Sequence, residues 1–230
     1  MKHCRWHTAL VTGAASGLGL EFCCQLASLG CRLILVDRSD MTDAVSRVGA
    51  AAVCMVIRID LTTDDAVPLI MQRLSSEGIL PDLLINNAGI FDFRSVLNMS
   101  PGRIDAYIDL HIRAVTSLCR AMAPLMVARG SGDILVMSSM SCWMPMPGIA
   151  MYSATKAYLR VFSRALRVEL ADTGVNVTVA CPGGIATDLF GLPRNLQRLG
   201  VRLGALSTVR GFVASALKRV HRRRAQYVNG

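Results

Sequence analysis

Short apolar runs alternate with longer stretches of helical periodicity along almost the whole chain. Apolar runs bounded by turn residues suit buried strands, and apolar positions three or four apart suit helices packed by one face. The pattern predicts strands at 8–12, 32–36, 51–59, 82–85, 134–137 and 175–180, with the beginning of a last edge strand at 226–228. It predicts helices at 17–29, 39–48, 62–76, 101–127, from Tyr152 onward, and at 207–220. Thr62 stands where a helix cap is wanted, with Asp64 and Asp65 in the first turn behind it. The strands lack polar alternation and each is followed by a helix, which predicts a parallel sheet covered on both faces. Right-handed crossovers then give an α/β, doubly wound, Rossmann-like fold in a single domain over 1–230, with ligands beyond the carboxyl ends of the strands.

Composition narrows this picture. Apolar residues make up 52% of 230 residues, enough for a large core and too many for global disorder. The apolar runs are strand-length, so no membrane span is expected. Strand-like sequence begins by Thr8, which leaves no room for a secretory leader and suggests a cytoplasmic protein. Eight scattered cysteines read as reduced, buried small residues. His3, Cys4 and His7 lie at a frayed end with no second ligand pair, so no metal is expected. The net charge is +9, with much of the excess in Lys218, Arg219, Arg222, Arg223 and Arg224. Without interleaved aromatics or a nucleic-acid motif, these read as a solvated helix end and no nucleic acid is expected.

The candidate chemistry falls where the doubly wound fold predicts it. Thr12-Gly-Ala-Ala-Ser-Gly-Leu-Gly19 follows the first strand and opens the first helix, with Gly13, Gly17 and Gly19 allowing a tight turn and close approach to a pyrophosphate. Ser16 and Leu18 belong to the same turn. Asp37 ends the second strand, eighteen residues beyond Gly19, where a carboxylate can accept ribose hydroxyls and would repel a 2′-phosphate. Arg38 pulls the other way, so the pattern favours NAD and leaves NADP open. Asp60 and Leu61 end the third strand, and Asp60 suits either an adenine amino group or a helix cap. Asn86-Asn87-Ala88-Gly89 ends the fourth strand with small residues that would let backbone lie against a cofactor. Pro182-Gly183-Gly184-Ile185-Ala186-Thr187 leaves the sixth, with Ile185 and Thr187 facing a nicotinamide. Ser139 ends the fifth strand thirteen residues before Tyr152, and Tyr152 and Lys156 share a helical face. A cation beside a phenol lowers its pKa, so this pair is read as an acid–base device, with Ser139 steadying a substrate oxygen. Singly, each of these is also an ordinary turn, cap or solvated charge.

Together they resemble the short-chain dehydrogenase/reductase family, from Thr8 to about Thr187. The family's glycine motif falls on Thr12–Gly19, its Asn-Asn-Ala-Gly motif on 86–89, its serine on Ser139, its Tyr-x-x-x-Lys on Tyr152 and Lys156, and its Pro-Gly motif on Pro182–Thr187. The resemblance implies NAD(P)-dependent interconversion of an alcohol and a carbonyl, and a homodimer or homotetramer built on the helices at 101–127 and 150–172. One departure stands out: His111 occupies the position of a family asparagine in a proton relay, and is carried as a catalytic candidate. The chain also ends close after its last helix, where the family often continues. Loops at 140–151 and 185–206, with Trp143, Met144, Met146, Ile149, Leu189 and Phe190, suit an apolar substrate. The alternative is a catalytically weak dinucleotide-binding protein that senses redox state.

Overall fold

The computed structural model describes residues 5–186 and 193–229. Seven strands form one sheet: β1 (Thr8–Thr12), β2 (Arg32–Asp37), β3 (Val53–Arg58), β4 (Leu83–Asn86), β5 (Gly132–Met137), β6 (Val175–Pro182) and β7 (Gln226–Asn229). Their order across the sheet is β3-β2-β1-β4-β5-β6-β7, and every pairing is parallel. The order reverses between β1 and β4, so their carboxyl ends open a crevice at the centre of the molecule. The doubly wound, Rossmann-like architecture expected from the alternating pattern is therefore the one observed.

Alternate residues of the central strands enter two separate cores. Val11, Leu33, Leu35, Ile85 and Leu135 pack with Phe22 and Leu26 of helix α1 (Gly17–Ser28) and with Phe212 and Val213 of helix α8 (Val209–His221). Leu10, Ile34, Val36, Leu84 and Ile134 face the other side. There they meet Ile70 of α3 (Ala66–Ser76), Leu118 and Met122 of α5 (Ala114–Arg129), and Leu159 of α6 (Ala150–Glu169). Both sets are removed from water, at about 1.5–3 kcal/mol for each large aliphatic side chain. That is why the strands read as unbroken apolar runs.

The amino end of the sheet is tied by one buried carboxylate. Asp133 accepts from Trp6 Nε1 at 2.7 Å and from Asn176 Nδ2 at 3.1 Å, and Arg5 reaches it at 3.0 Å. Burial nevertheless pushes its pKa up.

Several boundaries differ from the sequence expectation. The helix expected at 62–76 begins at Ala66, because Asp60 takes the Thr62 amide and hydroxyl at 3.0 and 2.9 Å and holds 62–65 as a turn. Helix α2 covers only Thr42–Val48, and a 3₁₀ turn at Ala50–Ala52 precedes β3. The helix expected over 101–127 is α4 (Pro101–Ile108) and α5, joined by a π turn at Asp109–Arg113. Helix α7 (Arg194–Arg202) precedes α8, and the 140–151 loop contains a 3₁₀ turn at Met140–Trp143.

Candidate active site

The strand ends that line the crevice are set by register. Thr12 lies beside Val36, Asn86 beside Val136, and Met137 beside Ala180. The crevice measures about 450 Å³. Its walls include Gly13, Ser16, Gly17 and Leu18 of the glycine turn, then Asp37, Arg38, Asp60 and Leu61. Asn87, Ala88, Gly89, Ser139, Tyr152, Lys156, Pro182, Gly183 and Ile185 are further expected residues that line it. Gly19 and His111 stand behind the wall. Thr187, Leu189 and Phe190, like His3 and Cys4, lie outside the described residues. Residues the motifs did not single out also line it: Ile59, Ile90, Leu110, Met137 and Ser138.

The glycine turn is shaped by what it touches. Gly13 has φ +69°, and a side chain there would press within 2.9 Å of the Ala88 backbone. A side chain on Gly19 would overlap the Gly13 carbonyl oxygen. Thr12 fastens this turn to the loop after β4. Its hydroxyl accepts from the Asn87 and Ala88 amides at 2.9 and 3.0 Å and donates to the Ile85 carbonyl at 3.3 Å. Asn87 Nδ2 returns to the Thr12 carbonyl at 3.0 Å. Asp37 is held in place too: its carboxylate accepts from the Ala15 amide at 3.0 Å and the Ser39 amide at 2.9 Å. Arg38 lies 3.9 Å from Asp60.

On the opposite wall, Ser139 lies two residues beyond β5 and caps the 3₁₀ turn, accepting from the Ser141 amide at 3.1 Å. Tyr152 and Lys156 sit one turn apart on α6, both buried. Lys156 Nζ donates to the Met137 carbonyl at 3.0 Å and lies 5.5 Å from the centre of the Tyr152 ring. Ser138 holds the helix at that level by donating to the Lys156 carbonyl at 2.7 Å.

The expected lowering of the Tyr152 pKa by Lys156 is corrected here. Burial pushes the phenol up to about 12, and only the Ser139 side chain pulls it back. The same burial pulls Lys156 down to about 8, because an ammonium in a dry site loses its hydration. Among the protein's own groups, desolvation outweighs the attraction between the pair.

His111 lies in the π turn and is fully buried. Its Nε2 accepts from the Ile90 amide at 3.0 Å, and its Nδ1 is 2.9 Å from the Thr155 hydroxyl. That hydroxyl donates to the Tyr152 carbonyl at 2.9 Å. Burial, then the nearby Lys156 and Arg103, hold the imidazole pKa well below its ordinary value.

The shape and donors suit a dinucleotide. The turn is too close-packed for side chains at Gly13 and Gly19, its backbone leads into the start of α1, and an anchored carboxylate stands at the end of β2. The family model described as short chain dehydrogenase matches residues 7–195. The chain belongs to the short-chain dehydrogenase/reductase family.

Among relatives, it is 35% identical over 187 residues to an uncharacterized short-chain type dehydrogenase/reductase, y4eK, of Sinorhizobium fredii, covering 81% of this chain and 73% of that protein. It is 32% identical over 183 residues to the probable oxidoreductase EphD of Mycobacterium tuberculosis, covering 78% of this chain and 31% of that protein. The chain thus spans about a third of EphD. Among solved structures, a bulky-bulky ketone specific alcohol dehydrogenase from Comamonas testosteroni superposes with TM-score 0.83 at 29% identity, over 96% of this chain and 85% of that one. A short-chain dehydrogenase from Sphingobium yanoikuyae in complex with NADPH gives TM-score 0.83 at 28% identity, over 96% and 86%.

Proposed function

We propose that the chain interconverts a secondary alcohol and a ketone or aldehyde on an apolar substrate, with NAD preferred over NADP. The observation that carries this reading is the meeting of Ser139, Tyr152 and Lys156 on one wall of a crevice whose other wall is the glycine turn. The glycine turn and the start of α1 would hold the pyrophosphate, Asp37 the adenosine ribose, and Asp60 and Leu61 the adenine. Asn87, Ala88 and Gly89 would lie along the cofactor, with Lys156 at the nicotinamide ribose and Pro182, Gly183 and Ile185 at the carboxamide. When bound, the cofactor supplies the hydride or accepts it.

The chain's own residues handle the proton and the charge. In the reductive direction Tyr152 Oη gives its proton to the carbonyl oxygen, and Ser139 Oγ stabilises the charge growing there. Lys156, anchored on the Met137 carbonyl, places a cation under the Tyr152 ring, where it favours the phenolate left behind. Burial holds the Tyr152 phenol above its ordinary pKa, so it keeps its proton in the neutral range, as the acid role in that direction requires. Half-exposed Trp143, Met144 and Met146 support an apolar substrate, and so does the bulky-ketone specificity of the solved relative. The seven described cysteines are all free, which supports a cytoplasmic setting.

The test is NADH and NADPH consumption against a panel of bulky ketones and aldehydes, beside direct dinucleotide titration. Tyr152→Phe should lower turnover by about 10²–10⁴-fold and leave dinucleotide affinity nearly unchanged. Dinucleotide binding with no turnover on any carbonyl would instead place the chain among redox-sensing binding proteins.

A further inference from the structure

Helix α7 presents two stripes to solvent. Arg194, Arg198 and Arg202 recur every fourth residue, and all are exposed. Leu196, Leu199 and Leu203, just past its end, are exposed by 47%, 50% and 73%. At about 100° per residue the arginines fall within about 80° of one another and the leucines within about 60°, on adjoining faces. The inward face is carried by buried Gln197 and by Gly200, against which Leu206 packs. Large aliphatic side chains left in water beside a row of cations are not explained by packing against the described residues.

The charge of the whole chain points the same way. From Arg194 to Gly230 there are nine Lys and Arg and no Asp or Glu. The rest therefore carries 25 − 9 = 16 basic residues against all 16 acidic ones, and is neutral. The entire +9 excess resides in the segment that begins with α7.

We propose that α7 docks on the surface of a bilayer rich in anionic phospholipid, its leucines entering the interface and its arginines meeting the headgroups. An amphipathic helix with a cationic flank gains from apolar burial and from the negative surface potential together. Nucleic acid would use the arginines but leave the leucines in water. The docked helix lies beside the crevice. The Leu206 and Ala205 amides bond to the Gly200 carbonyl, Ser207 pairs with Ile185, and Leu206 packs on Gly184. An apolar substrate dissolved in the bilayer would thus arrive at the crevice mouth. The docking itself stands apart from the redox reading and is tested without activity.

The experiment is co-flotation of the full chain with vesicles of phosphatidylcholine alone, or with about a third phosphatidylglycerol. The protein should float with the anionic vesicles only, and high salt should release much of it. Replacing the three arginines by glutamine should weaken binding about a hundredfold. Leu196→Ser with Leu199→Ser and Leu203→Ser should abolish flotation while circular dichroism and dinucleotide binding persist. Arg222→Gln with Arg224→Gln, near the amino ends of the strands, should retain most of it. Equal binding to neutral vesicles, or loss confined to the Arg222/Arg224 variant, would overturn the proposal. So would absence of flotation, whether the chain retards RNA or DNA in a salt-dependent way or its leucine variants change only its sedimentation as an oligomer.

Discussion

His111 has both ring nitrogens committed. Nε2 accepts the Ile90 amide, so Nδ1 carries the proton and donates to the Thr155 hydroxyl, whose own hydrogen goes to the Tyr152 carbonyl. Protonating Nε2 would break the Ile90 bond, so the imidazole acts as a neutral pin between the loop after β4 and helix α6. Its pKa is about 6.5 in the unfolded chain and well below that in the fold. Below pH 6.5 the unfolded state therefore binds more protons, and stability falls as pH drops, by at most about 1.4 kcal/mol per pH unit. His111→Asn should flatten this slope in urea titrations run from pH 7 down to 5, whereas an unchanged slope would show that the histidine is already charged in the fold. Tyr152 and Lys156 were legible in sequence because helix geometry fixes a four-residue spacing, and Ser139 because it follows the apolar run of β5. The direction of the Tyr152 shift was not, because it depends on how dry the site is. Thr12 was legible only as the start of the glycine motif and Ser138 and Thr155 carried no signal of their own, since only tertiary contacts reveal what these hydroxyls hold.

At the scale of elements, strand ends were easier to read than helix starts. Parallel buried strands announce themselves by unbroken apolar runs, and β1, β2, β4 and β6 run up to or into a motif. The helix expected from Thr62 starts later because Asp60 takes both the Thr62 amide and the hydroxyl that would have served as the cap. The π turn left no mark in the apolar pattern, yet it sets His111 against Ile90. Thr12 joins β1 to the β4 loop through one hydroxyl that satisfies two amides. Thr12→Val keeps the shape and leaves those amides unpaired. It should cost about 1–3 kcal/mol in denaturant titration and weaken dinucleotide binding, since the Gly13 turn loses its tie to Ala88. Retained stability and affinity would show that water replaces the hydroxyl without loss.

At the scale of the whole molecule, the sheet was legible because every unit repeats one strand-then-helix unit with one handedness. How copies of the chain meet was not, since an outward apolar face looks the same in sequence as a buried one. On α6, Val161 and Val168 share a face and are 62% and 74% exposed, with Tyr158 stacked on Phe162 nearby. Such a face suits a homodimer or homotetramer. Sedimentation velocity should show one, and Val161→Asp with Val168→Asp should convert it to monomer. A wild-type monomer would put these valines to another use. The carboxylate at the other end of the sheet bears on how the chain comes together in time. The oxygen that receives the Trp6 indole hydrogen lies 127 residues downstream of it, and that carboxylate also waits for Asn176. The indole of Trp6 therefore has no acceptor until Asp133 exists and β6 brings Asn176 beside it, so this tie closes late in the assembly of the sheet.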